Sequence, residues 1–417
     1  MLVLRTHDRV RNRLNRGQLC ILKENVATLR PRFATHRGTA LNLKPSVNWL
    51  FVFIPVTLAA EHFHTSPPVV FFSAALAVVP IACLIVASTE QLAHRTGDAI
   101  GGLLNATFGN APELIIAFVA LKAGYADMVR ASIVGAVLAN MLLGMGIAFF
   151  LGGLRHRTQV YNAGVARLYS SMMLISAMSL AVPSVFSRFF LSEATSAGGG
   201  AAGFPQQNTI NIVTASFLLV AYAAYLIFLL KTHPDYFKSA AAADGAEGNG
   251  GEDSQGHSGG KSWSAGKAIG CLVGASALAA WMSEILVGAA QGTGESLGMS
   301  QTFIAIVLLA VVGGAAETGS AIAMGRKNKP DLTVGIAMGS SIQIVLFVAP
   351  ALVFVSYFIG PAPLQLTFTR AEVGTLFLAV LIGAFVAGDG RSNWYKGFQL
   401  IVVYATIALL FYFLPST

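Results

Sequence analysis

Gly109-Asn110-Ala111-Pro112-Glu113 and Gly313-Gly314-Ala315-Ala316-Glu317 are two small-residue breaks inside apolar segments, and each ends on a glutamate. The two glutamates stand 204 residues apart. Twenty-two residues after each comes a second cluster: Gly135-Ala136-Val137-Leu138-Ala139-Asn140 in the first half, Gly339-Ser340-Ser341-Ile342-Gln343-Ile344 in the second. Two features repeated at one spacing mark an internal duplication. A carboxylate in the bilayer centre costs about 2.5–3.5 kcal/mol on insertion scales, so a matched pair of them points to function rather than accident.

The surroundings are those of a membrane protein. Of 417 residues, 55% are hydrophobic and only 11% charged, against roughly 25% in an average soluble domain. Mean hydropathy is +0.66. Such a chain is neither disordered, nor a disulfide scaffold, nor an ordinary cytosolic enzyme. Cys20, Cys83 and Cys271 are far apart and lack C-x-x-C spacing, so no thiol metal site is implied. No H-E-x-x-H, G-x-S-x-G or nucleotide loop is present, which argues against an enzyme and against ATP-driven pumping.

A hydrocarbon core about 30 Å thick needs about 20 apolar residues per helix. Eleven spans are expected, near 47–64, 68–93, 99–121, 128–151, 166–190, 208–230, 266–291, 301–325, 332–358, 370–388 and 394–414; ten and twelve are the neighbouring counts. With the N-terminus cytoplasmic, 23 of the 27 Lys and Arg fall inside, and only Lys122, Arg130, Arg188 and Arg370 fall outside. That asymmetry orients the protein. It also accounts for the net charge of +8 without a nucleic-acid partner. The expected organisation is a basic extension over 1–46, a leading helix over 47–64, a five-helix repeat over 68–231, a flexible cytoplasmic linker over 232–265 and a second five-helix repeat over 266–414. The extension is Arg-rich and acid-poor, which fits a cytoplasmic segment as well as a targeting one.

Five is odd, so the two repeats have opposite topology, with the helix of Glu113 running outward and that of Glu317 inward. Inverted repeats with Gly/Pro-interrupted segments at matching positions point to the midplane site of a secondary transporter. Four carboxylates fall well inside the expected spans: Glu90, Glu113, Glu284 and Glu317. No Lys or Arg shares their helix centres, so the site is net negative and needs cations, either protons or a metal ion. Two facing carboxylates neutralise one divalent ion, and an all-oxygen donor set favours Ca²⁺ over Zn²⁺ or Cu²⁺. Asn110 lies one turn before Glu113 on the same face, and Pro112 frees a carbonyl near Phe108. The same two acids could take protons when the metal leaves. Glu90 and Glu284 divide evenly between an accessory cation or proton relay and a structural partner. The small residues near Gly135 and Gly339 fit close helix packing as well as a cation-lining role.

The stretch Gly101-Gly102-Leu103-Leu104-Asn105-Ala106-Thr107-Phe108-Gly109-Asn110-Ala111-Pro112-Glu113-Leu114 closely resembles the first repeat of the cation/proton exchangers, a branch of the calcium/cation antiporter superfamily. Thr89-Glu90, Gly339-Ser340-Ser341-Ile342-Gln343 and Asp389-Gly390-Arg391-Ser392-Asn393-Trp394 extend the likeness from about residue 45 to the end. The resemblance implies one leading helix before two inverted five-helix repeats. It also implies Ca²⁺ exchanged for H⁺ by alternating access, with Glu113 and Glu317 as central ligands. Asn110 and Gln343 would lie near the pathway, and Gly109, Gly313, Gly314 and Ser340 would form the motif backbone. Where the family usually reads G-N-A-A-E-H, this chain has Gly314 for Asn and Thr318 for His, which bears on ion preference and pH response.

The expectation is therefore an all-α, multi-pass secondary antiporter moving Ca²⁺ or another divalent cation against H⁺, with no resident cofactor. It would sit in the bilayer of a bacterial-type plasma membrane, a vacuolar or organellar membrane being the alternative. The rivals are a sodium-coupled exchanger of the same superfamily and a passive cation channel.

Overall fold

The structure, a computed structural model, describes residues 47–96, 101, 103–104, 107–188, 205–233 and 263–414. The basic extension 1–46 and nearly all of the linker lie outside the described residues. What is described is helical except for two three-residue strands, short turns and a non-helical connection over 360–369. In hydrocarbon every backbone N–H and C=O must be satisfied internally, and a helix does this within one segment.

Chain order gives α1 (Val47–His62), α2 (Pro67–Thr96), α3 (Ala111–Lys122), α4 (Ala126–His156), α5 (Ala163–Phe186) and α6 (Gln206–Thr232). The second half gives α7 (Ala265–Leu297), α8 (Gln301–Gly313), α9 (Ala315–Arg326), α10 (Pro330–Ile359), α11 (Arg370–Ala387) and α12 (Trp394–Phe413). Among the described residues eight of these are long and apolar enough to cross a membrane, and the pair α8–α9, bent by 59°, makes a ninth. The expected count of eleven is not reached on this measure, because α1 is short and the span expected over 99–121 is described only in part.

The two halves correspond helix by helix. In each, a helix breaks just before its glutamate: residues 107 and 108 are helical, Gly109 and Asn110 form a turn, and α3 begins at Ala111, while α8 ends at Gly313 and α9 begins at Ala315. Pro112 therefore stands in the first turn of α3, where a missing N–H costs nothing, instead of interrupting a continuous helix. The helix after each break widens into π turns at matched positions, Ala139–Gly144 in α4 and Ile344–Val348 in α10. Single π turns are frequent at functional sites.

Contacts at the helix ends show that α3 and α9 run to opposite faces. The Lys122 end of α3 meets the end of α10, where Gly124 faces Pro361 and Leu121 faces Gly360. The Arg326 end of α9 meets the end of α4, where His156 Nε2 lies 3.1 Å from the Arg326 carbonyl. On that second face β1 (Thr158–Val160) pairs antiparallel with β2 (Arg391–Asn393), joining the two repeats. The Gln159 amide adds a 2.8 Å bond to the Gly325 carbonyl, and Lys396 pairs with Asp389 at 2.6 Å. Burial alone would raise the Asp389 carboxyl, but hydrogen bonds from Lys396 and the Arg391 N–H hold it below its ordinary range.

Close helix approach falls at glycines. A Cβ at Gly135 would run into the Ile306 backbone of α8, and one at Gly397 into the backbone of Phe150 and Gly146 on α4. Gly339, matched to Gly135 by sequence, has open space around it. Small residues at such crossings let backbones touch, which in lipid replaces the hydrophobic drive for packing.

Candidate cation site

Most helix starts that lie toward the faces are capped by a side chain. Asn162, Ser264, Ser300 and Asn393 cap α5, α7, α8 and α12, and Thr369 with Glu372 forms a capping box on α11. The starts of α4 and α10, at Tyr125 and Lys329, have no side-chain cap bond, and neither have those of α3 and α9, at Asn110 and Gly314. Glu113 and Glu317 each occupy the first turn behind that open start, where the helix dipole favours negative charge.

The two breaks meet in the middle of the fold. A Cβ at Gly313 would sit 3.1 Å from Glu113 Cγ, and one at Gly314 would sit 3.7 Å from Glu113 Oε1. As whole residues both glutamates are half-buried, yet all four of their carboxylate oxygens are buried and none has a hydrogen-bond partner. An unpaired buried charge is among the most costly things a protein can hold.

Around them runs a polar chain that crosses between the repeats. The Asn110 amide donates to Gln343 Oε1 at 2.5 Å, Ser340 Oγ donates to Asn110 Oδ1 at 2.7 Å, and the Asn140 amide donates to Ser340 Oγ at 3.2 Å. Asn110, Asn140 and Ser340 are all buried. Asn110 and Gln343 are thus tied to each other here, with Asn110 Oδ1 already accepting from Ser340. Asn140, which the sequence analysis did not single out for chemistry, keeps its side-chain oxygen buried and unpartnered. Its counterpart in the second repeat is the apolar Ile344, so the duplication gave no signal for it.

Beside Glu113 lies a cavity of about 20 Å³ lined by residues of α3, α4, α8 and α10, among them Ile116, Ala117, Ser132 and Gly313. That is room for about one water. Its α3 and α4 residues place it on the Lys122 side of Glu113. Thr318 lies against α4, with its Oγ1 3.0 Å from where a Cβ on Gly144 would be. Glu90 is half-buried toward the end of α2, next to Gln91, whose side chain accepts from the Trp263 N–H at 3.1 Å. Glu284 is exposed on α7. Among the described residues no three His, Cys, Asp or Glu come together; beside the two carboxylates stand amide, hydroxyl and carbonyl oxygens.

The profile of the family described as sodium/calcium exchanger protein matches residues 66–231 and 267–413, the two repeats on either side of the linker. The chain is 37% identical to a Ca(2+)/H(+) antiporter of Aphanothece halophytica, over 88% of this chain and 96% of that one. It is 36% identical to vacuolar cation/proton exchanger 2 of Oryza sativa subsp. japonica, over 95% and 88%. Among solved structures, native YfkE superposes with a TM-score of 0.72 at 33% identity, covering 88% of this chain and all of that one.

Proposed function

The chain belongs to the sodium/calcium exchanger protein family, and from that membership we propose that it is a multi-pass membrane antiporter exchanging Ca²⁺ for H⁺ by alternating access. The observation that carries the reading is the set of four buried carboxylate oxygens on Glu113 and Glu317 that no donor satisfies. Relatives of 36–37% identity named Ca(2+)/H(+) antiporter or cation/proton exchanger support the proton as counter-ion over sodium.

In this mechanism Glu113 and Glu317 hold Ca²⁺ between the two helix breaks, with Asn140 Oδ1 as a further oxygen. Ca²⁺ takes six to eight oxygens at about 2.3–2.6 Å, so carbonyls freed at the breaks and water complete the shell. The Asn110–Gln343–Ser340 chain holds the start of α3 against α10 and so fixes where Glu113 stands. When the cation leaves, protons take its place on the same oxygens. Because the pair holds either one metal ion or protons, and the empty charged pair is too costly to persist, the two fluxes are coupled. From the charge asymmetry we infer a cytoplasmic N-terminus; a bacterial-type plasma membrane is the reading for the compartment, with a vacuolar or organellar membrane as the alternative.

The test is Ca²⁺-dependent proton release from acid-loaded proteoliposomes. Wild type should release protons, and Glu113→Gln and Glu317→Gln should each abolish release while eluting as folded protein. Ca²⁺ movement that follows a Na⁺ gradient, or needs no gradient of either ion, would overturn the proton-coupled reading.

A further inference from the structure

Asn110 and Gly314 hold matched positions, three residues before Glu113 and Glu317. They are not equivalent. The Asn110 side chain is taken up by Gln343 and Ser340. Gly314 has no side chain, and its φ of −79° and ψ of 13° are open to other residues, so backbone conformation does not demand glycine there.

What distinguishes position 314 is its neighbours. A Cβ built on it would lie 3.1 Å from Asn140 Oδ1, 3.3 Å from the Ala310 carbonyl oxygen and 3.7 Å from Glu113 Oε1. All three are acceptors. Asn140 is 2% exposed, and neither its Oδ1 nor Glu113 Oε1 has a partner. The Ala310 carbonyl takes the Gly314 N–H at 3.0 Å and has a second lone pair to give. Two of the three thus have no donor, and acceptors so placed repel one another unless something positive lies among them. A side chain at 314 would either cap Asn140 Oδ1, as Ser340 caps Asn110, or push it aside.

Resting on the reading of the glutamate pair as the cation site, we propose that Gly314 is the position that sets cation specificity. By leaving Asn140 Oδ1 unpaired next to Glu113 Oε1, it adds an amide oxygen to the cation's shell on one side of the pair only. An extra oxygen favours Ca²⁺, whose shell is large and adaptable, over smaller ions that prefer six ligands in a tight octahedron.

The experiment measures Ca²⁺ and Mn²⁺ binding to the purified full chain by titration calorimetry, with proton release from proteoliposomes recorded in parallel. Gly314→Ala should lower Ca²⁺ affinity about tenfold, the scale seen when a metal site loses a supporting contact, and lower Mn²⁺ affinity less, so that the Ca²⁺/Mn²⁺ ratio falls. Asn140→Ala removes the same oxygen without adding bulk and should move the ratio the same way. Adding Gly314→Ala to it should move the ratio no further. An unchanged ratio in either folded single variant overturns the proposal, and Asn140→Ala decides alone if Gly314→Ala does not fold. Wild type that binds Ca²⁺ but releases no protons overturns the exchange reading and leaves this one standing. Wild type that binds neither ion overturns both.

Discussion

Ser340 is the hub of the polar chain, donating to Asn110 and accepting from Asn140 across the interface of the repeats. Replacing it by alanine strands Asn110 Oδ1 and the Asn140 amide in a buried site. A buried group left unsatisfied costs about 1–3 kcal/mol, while interhelical hydrogen bonds in membranes average about 0.6 kcal/mol. Burial of both partners favours the larger figure, so Ser340→Ala should lower stability by about 1–2 kcal/mol and weaken Ca²⁺ binding. Thermal unfolding in detergent reads the first effect and calorimetry the second; Ser340→Thr, which keeps the hydroxyl, should restore most of both. A Ser340→Ala protein that melts like wild type would remove the hub from the account. The glutamates were legible in the sequence because each carries its own small-residue break and the breaks repeat. Asn140 was not, since its repeat partner is apolar, and neither was the tie between Asn110 and Gln343, which joins residues 233 positions apart.

At the scale of helices, apolar length and periodic breaks were enough to place nearly every segment, because a bilayer permits little else. The π turns were hidden, as Ile344–Val348 is wholly apolar and Ala139–Gly144 is apolar but for the single Asn140, so neither carries a compositional mark of a widened turn. Glycine was legible only as abundance. Its roles separate once neighbours are known: Gly397 lies against the backbone of Phe150 and Gly146, whereas Gly274, within α7, has nothing within 4 Å of a Cβ. The two should answer alanine oppositely. Gly397→Ala must force α12 away from α4, loosening a crossing held by backbone contact, and should lower the unfolding midpoint and the yield of folded protein. Gly274→Ala removes a flexible residue from a helix interior without a clash and should stabilise by about 0.5–1 kcal/mol. Equal responses would mean that the α4–α12 contact does not hold the helices together.

For the whole molecule, the structure sorts the charges of the described residues by face. Arg155, Arg157, Arg326, Lys327, Lys329 and Arg391 are exposed around the β1–β2 ribbon. Lys122 lies exposed at the opposite end, beyond Glu113 on α3, where Asp127 and Arg130 form a separate ion pair. The fold puts these groups at two ends, and only the bilayer's preference for cytoplasmic Lys and Arg assigns the ribbon end to the inside. On that proposed assignment the cavity beside Glu113, which lies toward the Lys122 end, is on the external side of the pair. Cysteine labelling checks it in a background where Cys20, Cys83 and Cys271 are replaced. In intact cells a membrane-impermeant maleimide should react with Lys122→Cys and spare Lys327→Cys, and in inside-out vesicles the pattern should reverse. Under that outcome the cavity lies on the external side of the glutamate pair, so protons arriving from outside meet Glu113 first and Ca²⁺ displaced by them leaves on the same side. The opposite labelling would turn the protein over in the membrane and reverse that order, with the pair and its chemistry unchanged.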